Sequence, residues 1–498
     1  MAFFSLFAIL VMSLVVWKYI FLQKKTKTKS STPFALPLLG HLHLIVKKPL
    51  HRTLAKLGDQ YGPTLFLSYG FRKVVLISSA STIEECLTIN DVAFGNRPHL
   101  IVGEYLGYNY TNLVFSGCGD HWRNLRRITA QEISSNKLQT FANVRSQEVR
   151  SLVLKLFGKK SGGTDFYKVE FSTMFFELML NTIMRITAGK NVSDPQETQR
   201  VRQIVRDSTH LLGSPNLGDF LPFLKRFDLQ GLKKRMVKTR RDRDMLMQSL
   251  VDERRAMREF AKNNGEEKKT MIDVMLSYQQ NDPEYYTDNI IKGQIGTMLT
   301  AGTDTTSSAM EWTMSLLLNH PEHLTKVRNE INTQVGQERL VEESDLVNLP
   351  FLHNVMNEAL RLYPTGPVTT RETNKDCTVG GVHLAKGTMI QMNFWAVNRD
   401  PTVWENPEIF DPERFERDEG KRDSFKWLSF GSGRRRCPGE VLATRMIGMA
   451  LATMIQCFEW KRLGEEMVDM REGYGLTLPK ANPLVAMCKP RSIMDRIV

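Results

Sequence analysis

Cysteine is scarce in this chain: six residues in 498, at Cys86, Cys118, Cys377, Cys437, Cys457 and Cys488. No two have C-x-x-C spacing, which excludes the common zinc cages and the redox dithiol motif. So few cysteines in so long a chain fit a reducing compartment, and five of the six read as small buried hydrophobes. Internal repeats are also absent, which excludes a solenoid or propeller. Zinc-finger spacing, an RNA-binding signature and a basic zipper are missing too. The net charge of +13, from 67 basic and 54 acidic residues, is therefore not read as a nucleic-acid footprint. It reads as a basic surface drawn to anionic lipid or to an acidic protein. What remains, 42% hydrophobic and 24% charged residues, is ordinary for a folded chain with a large core.

Charge is missing altogether from residues 2–17, and Lys18 is followed by another apolar run to Leu22. As a helix rising ~1.5 Å per residue, the uncharged part spans ~24 Å and the whole ~33 Å, close to a bilayer core of ~30 Å. Lys18 lies near the end and can snorkel. Lys24, Lys25, Lys27 and Lys29 follow, a cluster that should stay cytosolic. A cleaved signal peptide is the alternative, but no small-x-small site precedes the lysines. The segment 1–22 is expected to be a membrane anchor and 23–50 a basic linker. In that linker Pro33 and Pro37 favour an extended, semi-rigid path.

Beyond the linker, Thr64–Tyr69 and Lys73–Ile77 have strand character. Much of 120–360 reads as helix, including a long apolar one from about Asn289 to Leu318 that Pro321 stops, and another over Phe351–Leu362. Residues 376–395 read as short strands, with Gly380-Gly381 as a tight turn. The charged stretch 200–262 reads as helix with a solvated face.

One cysteine stands in a different context. Residues 430–439 read Phe-Gly-Ser-Gly-Arg-Arg-Arg-Cys-Pro-Gly. Nearby positive charge lowers a thiol pKa. Gly431, Gly433 and Gly439 permit a tight path, Pro438 stiffens it, and Phe430 can cover the sulfur. These are the needs of a thiolate that ligates iron and accepts backbone amide hydrogen bonds. Arg435 can pair with an anionic haem propionate. The alternative is a chance cysteine in an exposed basic turn.

The complete pattern Phe-x-x-Gly-x-Arg-x-Cys-x-Gly resembles the cysteine loop of the cytochrome P-450 superfamily, and the resemblance runs the length of the chain. It implies a mainly α fold with a small β-rich subdomain, an N-terminal transmembrane helix and a catalytic domain over 51–498. It also implies haem b with Cys437 as axial ligand. Ala301-Gly-Thr-Asp-Thr-Thr306 resembles the family's oxygen-binding helix. On that match Asp304 and Thr305 deliver protons, Ala301 faces substrate, and Gly302 lets the helix open locally. A Thr-rich core helix with hydroxyls bonded back to carbonyls is the plainer alternative. Glu358-Ala-Leu-Arg361 resembles the family's Glu-x-x-Arg pair, completed by Arg414, with a structural role. Trp122, Arg126 and Arg371 are expected at the haem propionates by the same resemblance.

Leu100, Val102, Leu113, Leu212, Ala301, Val368 and Leu476 are expected to face an apolar substrate cavity. Asp376-Cys-Thr-Val-Gly-Gly381 and Pro479-Lys-Ala-Asn-Pro-Leu484 resemble a plant branch that oxidises isoflavonoids, lignans, other phenolics and some terpenoids. The expected function is hydroxylation of such a lipophile at the endoplasmic reticulum membrane. Electrons come from NADPH through a flavoprotein reductase that docks near Arg434, Arg436 and Lys426. Ring closure or phenol coupling without oxygen insertion stays open. A haem sensor or electron carrier is the rival class, and it would need neither proton relay nor cavity.

Overall fold

The computed structural model describes residues 32–46, 48–158, 166–192, 194–261, 270–417 and 425–497. The expected anchor, residues 1–22, lies outside them. Among the described residues no helix is long and apolar enough to cross a membrane.

The longest helix, Asp288–Asn319, is buried on nearly every side from Ile290 to Thr300 and again from Thr306 to Leu318. A helix apolar all round has no solvent face to present, so it becomes the axis of the core. It packs along Phe171–Ala188, Leu232–Ala261, Pro195–Leu212 and Glu440–Cys457. The expected stop at Pro321 is real but double-edged. His320 leaves helical geometry at φ −127°, ψ 71°, and Pro321 then opens the next helix, Pro321–Gln334, where its missing N–H is no loss. The helix Pro350–Leu362 ends one residue short of Pro364, as the residue before proline avoids helical geometry.

The stretch 200–262 differs from the expectation of one charged helical region. It forms two long helices, Pro195–Leu212 and Leu232–Ala261, joined by a passage that holds only the short helical turns Leu217–Phe220 and Pro222–Leu224. Gly213, Pro215, Gly218, Pro222 and Gly231 interrupt the pattern, and Gly231 adopts φ +62°. The face is not wholly solvated either. Arg243 is buried and donates to the Leu106 carbonyl.

Strands Thr64–Tyr69 and Arg72–Ile77 form a hairpin. Met389–Asn393 runs parallel beside Arg72–Ile77, and Val368–Glu372 is antiparallel on the outer edge. A second sheet joins Tyr167–Glu170, Val485–Pro490 and Phe458–Arg462. The smallest pairs Cys377–Val379 with Val382–Leu384 around Gly380 and Gly381, both at positive φ, the geometry a two-residue hairpin turn requires.

Residues 32–46 do not stand free as a connector. They lie on the first sheet. His41 N–H donates to Ser68 O at 2.6 Å, Ser68 N–H donates to His41 Nδ1 at 3.0 Å, and His41 Nε2 meets Pro33 O at 3.0 Å.

Candidate active site

Cys437 sits at the start of Glu440–Cys457, with Gly439 as that helix's N-cap. The helix's positive end and a backbone N–H from Gly439 favour the thiolate, as do the charges of Arg126 and Arg436. Burial is the larger influence and raises the thiol pKa. Cys437 N–H donates to Phe430 O at 2.9 Å, closing the loop on itself. Gly431 and Gly433 adopt φ +68° and +69°, and a Cβ on Gly433 would meet Asp91 Oδ1 at 2.6 Å. Phe430 packs edge-on against Trp427 at 5.8 Å, and the Trp427 Nε1–H donates to Asn357 O. Ser429 Oγ donates to Leu360 O at 2.9 Å. The loop is thereby fastened to the helix Pro350–Leu362.

Cys437 and Ala301 are both accessible, although desolvation dominates the Cys437 thiol. The long helix runs unbroken through Gly302, contrary to the expected local opening. A Cβ there would meet Ile183 Cδ1 at 2.8 Å, so the glycine lets two helices approach. Thr305 Oγ1 donates back to Ala301 O at 2.6 Å. The Asp304 carboxylate turns away from Thr305 and accepts from Thr477 Oγ1 at 2.8 Å. Burial raises its pKa, and the Thr477 bond opposes that shift.

The predicted propionate contacts fall into one cluster with a member the sequence did not reveal. Arg435 lies over the Trp122 ring at 4.6 Å and donates to the carbonyls of Gly95, Leu113 and Ser116. Arg371 is 2% exposed, and its Nε and Nη1 meet no partner. Burial, then the charges of Arg97 and Arg435, press its pKa well below the ordinary value. Arg97 is the addition. It donates to Thr369 Oγ1 at 3.2 Å, and its Nε is also unpartnered. No motif flagged Arg97, since a lone arginine before Pro98 has no diagnostic spacing. Among the described residues none of Arg97, Arg126, Arg371 and Arg435 forms an ion pair with a carboxylate. Arg371 is buried and the other three are half-buried; a buried unpaired guanidinium is costly, and a group bearing two carboxylates, as haem does, fits this cluster.

Glu358, Arg361 and Arg414 are all essentially inaccessible. Arg361 grips the carboxylate with two bonds of 2.7 Å, and Arg414 Nε adds one of 3.1 Å. Both guanidiniums lie near the buried Trp404 ring, at 5.2 and 6.0 Å. Their remaining N–H groups go to the carbonyls of Asn398, Pro407, Ile409 and Glu405.

Leu100, Val102, Leu212, Val368 and Leu476 line one cavity of about 180 Å³ against the first sheet. Leu113 and Ala301 do not line it, and neither does Cys437. Thr477 does, and its bond to Asp304 joins the cavity wall to the long helix.

The sequence pattern of the Cytochrome P-450 family matches residues 31–487. The chain belongs to the cytochrome P-450 family. It is a P-450 monooxygenase, and the family's cofactor is haem. Similar proteins include cytochrome P-450 81Q32 of Catharanthus roseus, 45% identical over 99% of this chain and 98% of that protein. An isoflavone 2'-hydroxylase of Medicago truncatula is 42% identical over 99% and 98%. A (+)-piperitol/(+)-sesamin synthase of Sesamum radiatum is 43% identical over 95% and 92%. Among solved structures, a zebra fish cytochrome P-450 with progesterone superposes with a TM-score of 0.76. It is 26% identical, over 89% of this chain and all of that one. The P-450 fold, mainly helical with small sheets, agrees with the sequence reading.

Proposed function

We propose that this P-450 hydroxylates a lipophilic plant specialised metabolite, of the phenolic, phenylpropanoid, flavonoid or terpenoid classes, with electrons from NADPH through a flavoprotein reductase. Residues 1–22 anchor it in the endoplasmic reticulum membrane, 23–50 form the linker, and 51–498 form the cytosolic catalytic domain. The observation that carries this reading is the Cys437 loop. A cysteine held by its own backbone bond to Phe430 meets a helix N-terminus and an amide from Gly439. The arginine cluster supports it.

When bound, haem supplies the binding and reductive activation of dioxygen. Cys437 would ligate the iron. Arg97, Arg126, Arg371 and Arg435, with Trp122 beside them, would hold the propionates. Phe430 and Trp427 screen the sulfur side from water. Asp304 is suited to hold a proton because burial raises its pKa, and Thr477 aims its carboxylate. Thr305 can pass a proton on once its hydroxyl leaves the Ala301 carbonyl. The apolar cavity walls exclude water and favour a lipophile. The hydroxylases among the relatives support oxygen insertion, and the relative named as a synthase favours a second reading in which substrate is oxidised but keeps no oxygen.

The test is expression with a plant reductase, then incubation with phenolics and terpenoids. A product one oxygen atom heavier is expected, whereas loss of two hydrogens alone marks the second reading. A purified protein without haem, or a reduced carbon-monoxide complex with a histidine-type spectrum, overturns the proposal. Thr305→Ala should lower product per NADPH consumed while NADPH oxidation continues.

A further inference from the structure

The first sheet has two working faces, set by the two-residue alternation of strands. On the outer strand, Thr369 receives a hydrogen bond from Arg97, and Arg371 is buried within the cation cluster. Val368 and Thr370 alternate with them and line the substrate cavity, as do Met389 and Gln391 on the neighbouring strand and Tyr69 two strands away. Val368 and Met389 are its apolar members, and its polar groups are a linked set. Gln391 is 7% exposed and Tyr69 fully buried, and the Tyr69 hydroxyl donates to Gln391 Oε1 at 2.8 Å. That bond uses the carbonyl end of the amide. The Gln391 Nε2 end meets no acceptor among the described residues. Thr370 is paired directly with Gln391 in the strand register, so the two side chains are neighbours on the cavity face. The Thr370 hydroxyl also has no partner among the described residues, and only its carbonyl is engaged, by Arg97.

The Gln391 Nε2 is not among the fully buried unpartnered atoms, so it keeps accessible surface on the cavity, where an amide N–H in a mostly protein-lined space gains by meeting an acceptor. A ligand oxygen supplies one. The Gln391 Nε2 can only donate, so the ligand group must accept. A neighbouring threonine hydroxyl can accept as well as donate, so a ligand hydroxyl can satisfy both residues at once, whereas an ether oxygen satisfies Gln391 alone. The sheet residues on this wall are uncharged, and the lysine that lines the cavity, Lys48, lies off the sheet.

We propose that the Tyr69-braced amide of Gln391 and the hydroxyl of Thr370 form the polar anchor of the cavity and select a substrate carrying a phenolic hydroxyl. Tyr69 is the positioning residue, since its bond fixes which end of the amide faces the ligand. The inference deepens the reading of a lipophilic plant metabolite and rests on it.

The test is calorimetric titration of the full-length holoenzyme in detergent with three probes. These are an isoflavone without ring substituents, and the same compound carrying a hydroxyl or a methoxyl at one ring carbon. The hydroxylated probe should bind about tenfold more tightly than the unsubstituted one, with the methyl ether between them. Gln391→Leu should reduce that ratio to about twofold or less. Tyr69→Phe should reduce the ratio partway. A wild-type enzyme with no preference for the hydroxylated probe, or a preference that survives Gln391→Leu, overturns the proposal. Should Gln391→Leu fail to hold haem, Thr370→Val decides in its place, and a retained preference for hydroxyl over methoxyl then overturns it. Failure of the monooxygenase reading would appear separately, as loss of the thiolate-type spectrum in the wild type.

Discussion

Two groups of arginines in this molecule differ in what their guanidiniums meet. Arg361 and Arg414 converge on the Glu358 carboxylate, and their other N–H groups end on backbone carbonyls. Among the described residues, Arg97, Arg126, Arg371 and Arg435 have no carboxylate bonded to them, and two of them have side-chain nitrogens with no partner. The first group is complete within the polypeptide and therefore belongs to the fold. In the second, the unpartnered nitrogens of Arg97 and Arg371 leave room for an anion from outside the polypeptide. Burial differs as well: Arg361, Arg414 and Arg371 are buried, whereas Arg97, Arg126 and Arg435 are half-buried. Burial, and after it repulsion from Arg97 and Arg435, depresses the pKa of Arg371, a cost to the protein alone that a dianionic group would relieve.

The sharpest way to break this contrast is Glu358→Ala. It would leave two buried guanidiniums without their anion, a loss of about 3–5 kcal/mol. Thermal unfolding should shift down by many degrees, and little protein with a thiolate-type carbon-monoxide spectrum should be recovered. A variant that melts like wild type would mean that the backbone carbonyls alone suffice.

The second group should behave with the opposite sign in the apoprotein. Arg371→Leu removes a buried, repelled charge, so the apoprotein should be as stable as wild type or more so. Haem retention should nevertheless fall by about 10- to 100-fold, the worth of one charge-assisted hydrogen bond. Haem transfer to excess apomyoglobin measures the second effect and urea unfolding of the apoprotein the first. If both fall together, Arg371 is structural and the contrast fails.

Asp304 is the mirror case, a buried carboxylate whose bonded partner is a hydroxyl. Thr477 holds its pKa down against burial. Thr477→Val removes a bond that favours the ionised form, so the pKa rises further. Because the protonated carboxyl is the working form, the basic limb of the turnover profile should then move to higher pH while the acidic limb stays. Measuring turnover against pH for both enzymes settles it, and an unmoved basic limb would remove Asp304 from proton handling.

Legibility from sequence followed the range of the interactions. Local patterns were readable: the Cys437 loop, the long apolar helix, the Glu358–Arg361 spacing and the Gly380-Gly381 turn each arise from residues close in the chain. Arg97 was not, because its relation to Arg371 and Arg435 exists only after the first sheet has formed. Thr477 and Asp304 are 173 positions apart, and Tyr69 and Gln391 are 322 apart, so no spacing rule could join them. The break at 213–231 was hidden by the charge on either side of it, which drew attention from the glycines and prolines within. Gly302 was misread because a glycine's use depends on what packs against it, here Ile183.

The surface supplies the smallest test of the same contrast between cations with and without partners. Three residues near the cysteine loop were expected to meet the reductase, and the fold treats them differently. Arg434 pairs with Asp91 at 3.0 Å and is part-buried, and Arg436 pairs with Glu440 at 2.8 Å. Lys426 is exposed and forms no ion pair among the described residues. A charge already neutralised by its neighbour contributes less to an encounter than one facing solvent. Lys426→Ala should therefore raise the reductase concentration needed for half-maximal turnover by about two- to threefold at low salt, with no effect at high salt. Arg436→Ala should do less despite removing the same charge, because it frees Glu440 at the same time. Equal effects from the two substitutions would mean that pairing within the protein does not screen these cations from a partner.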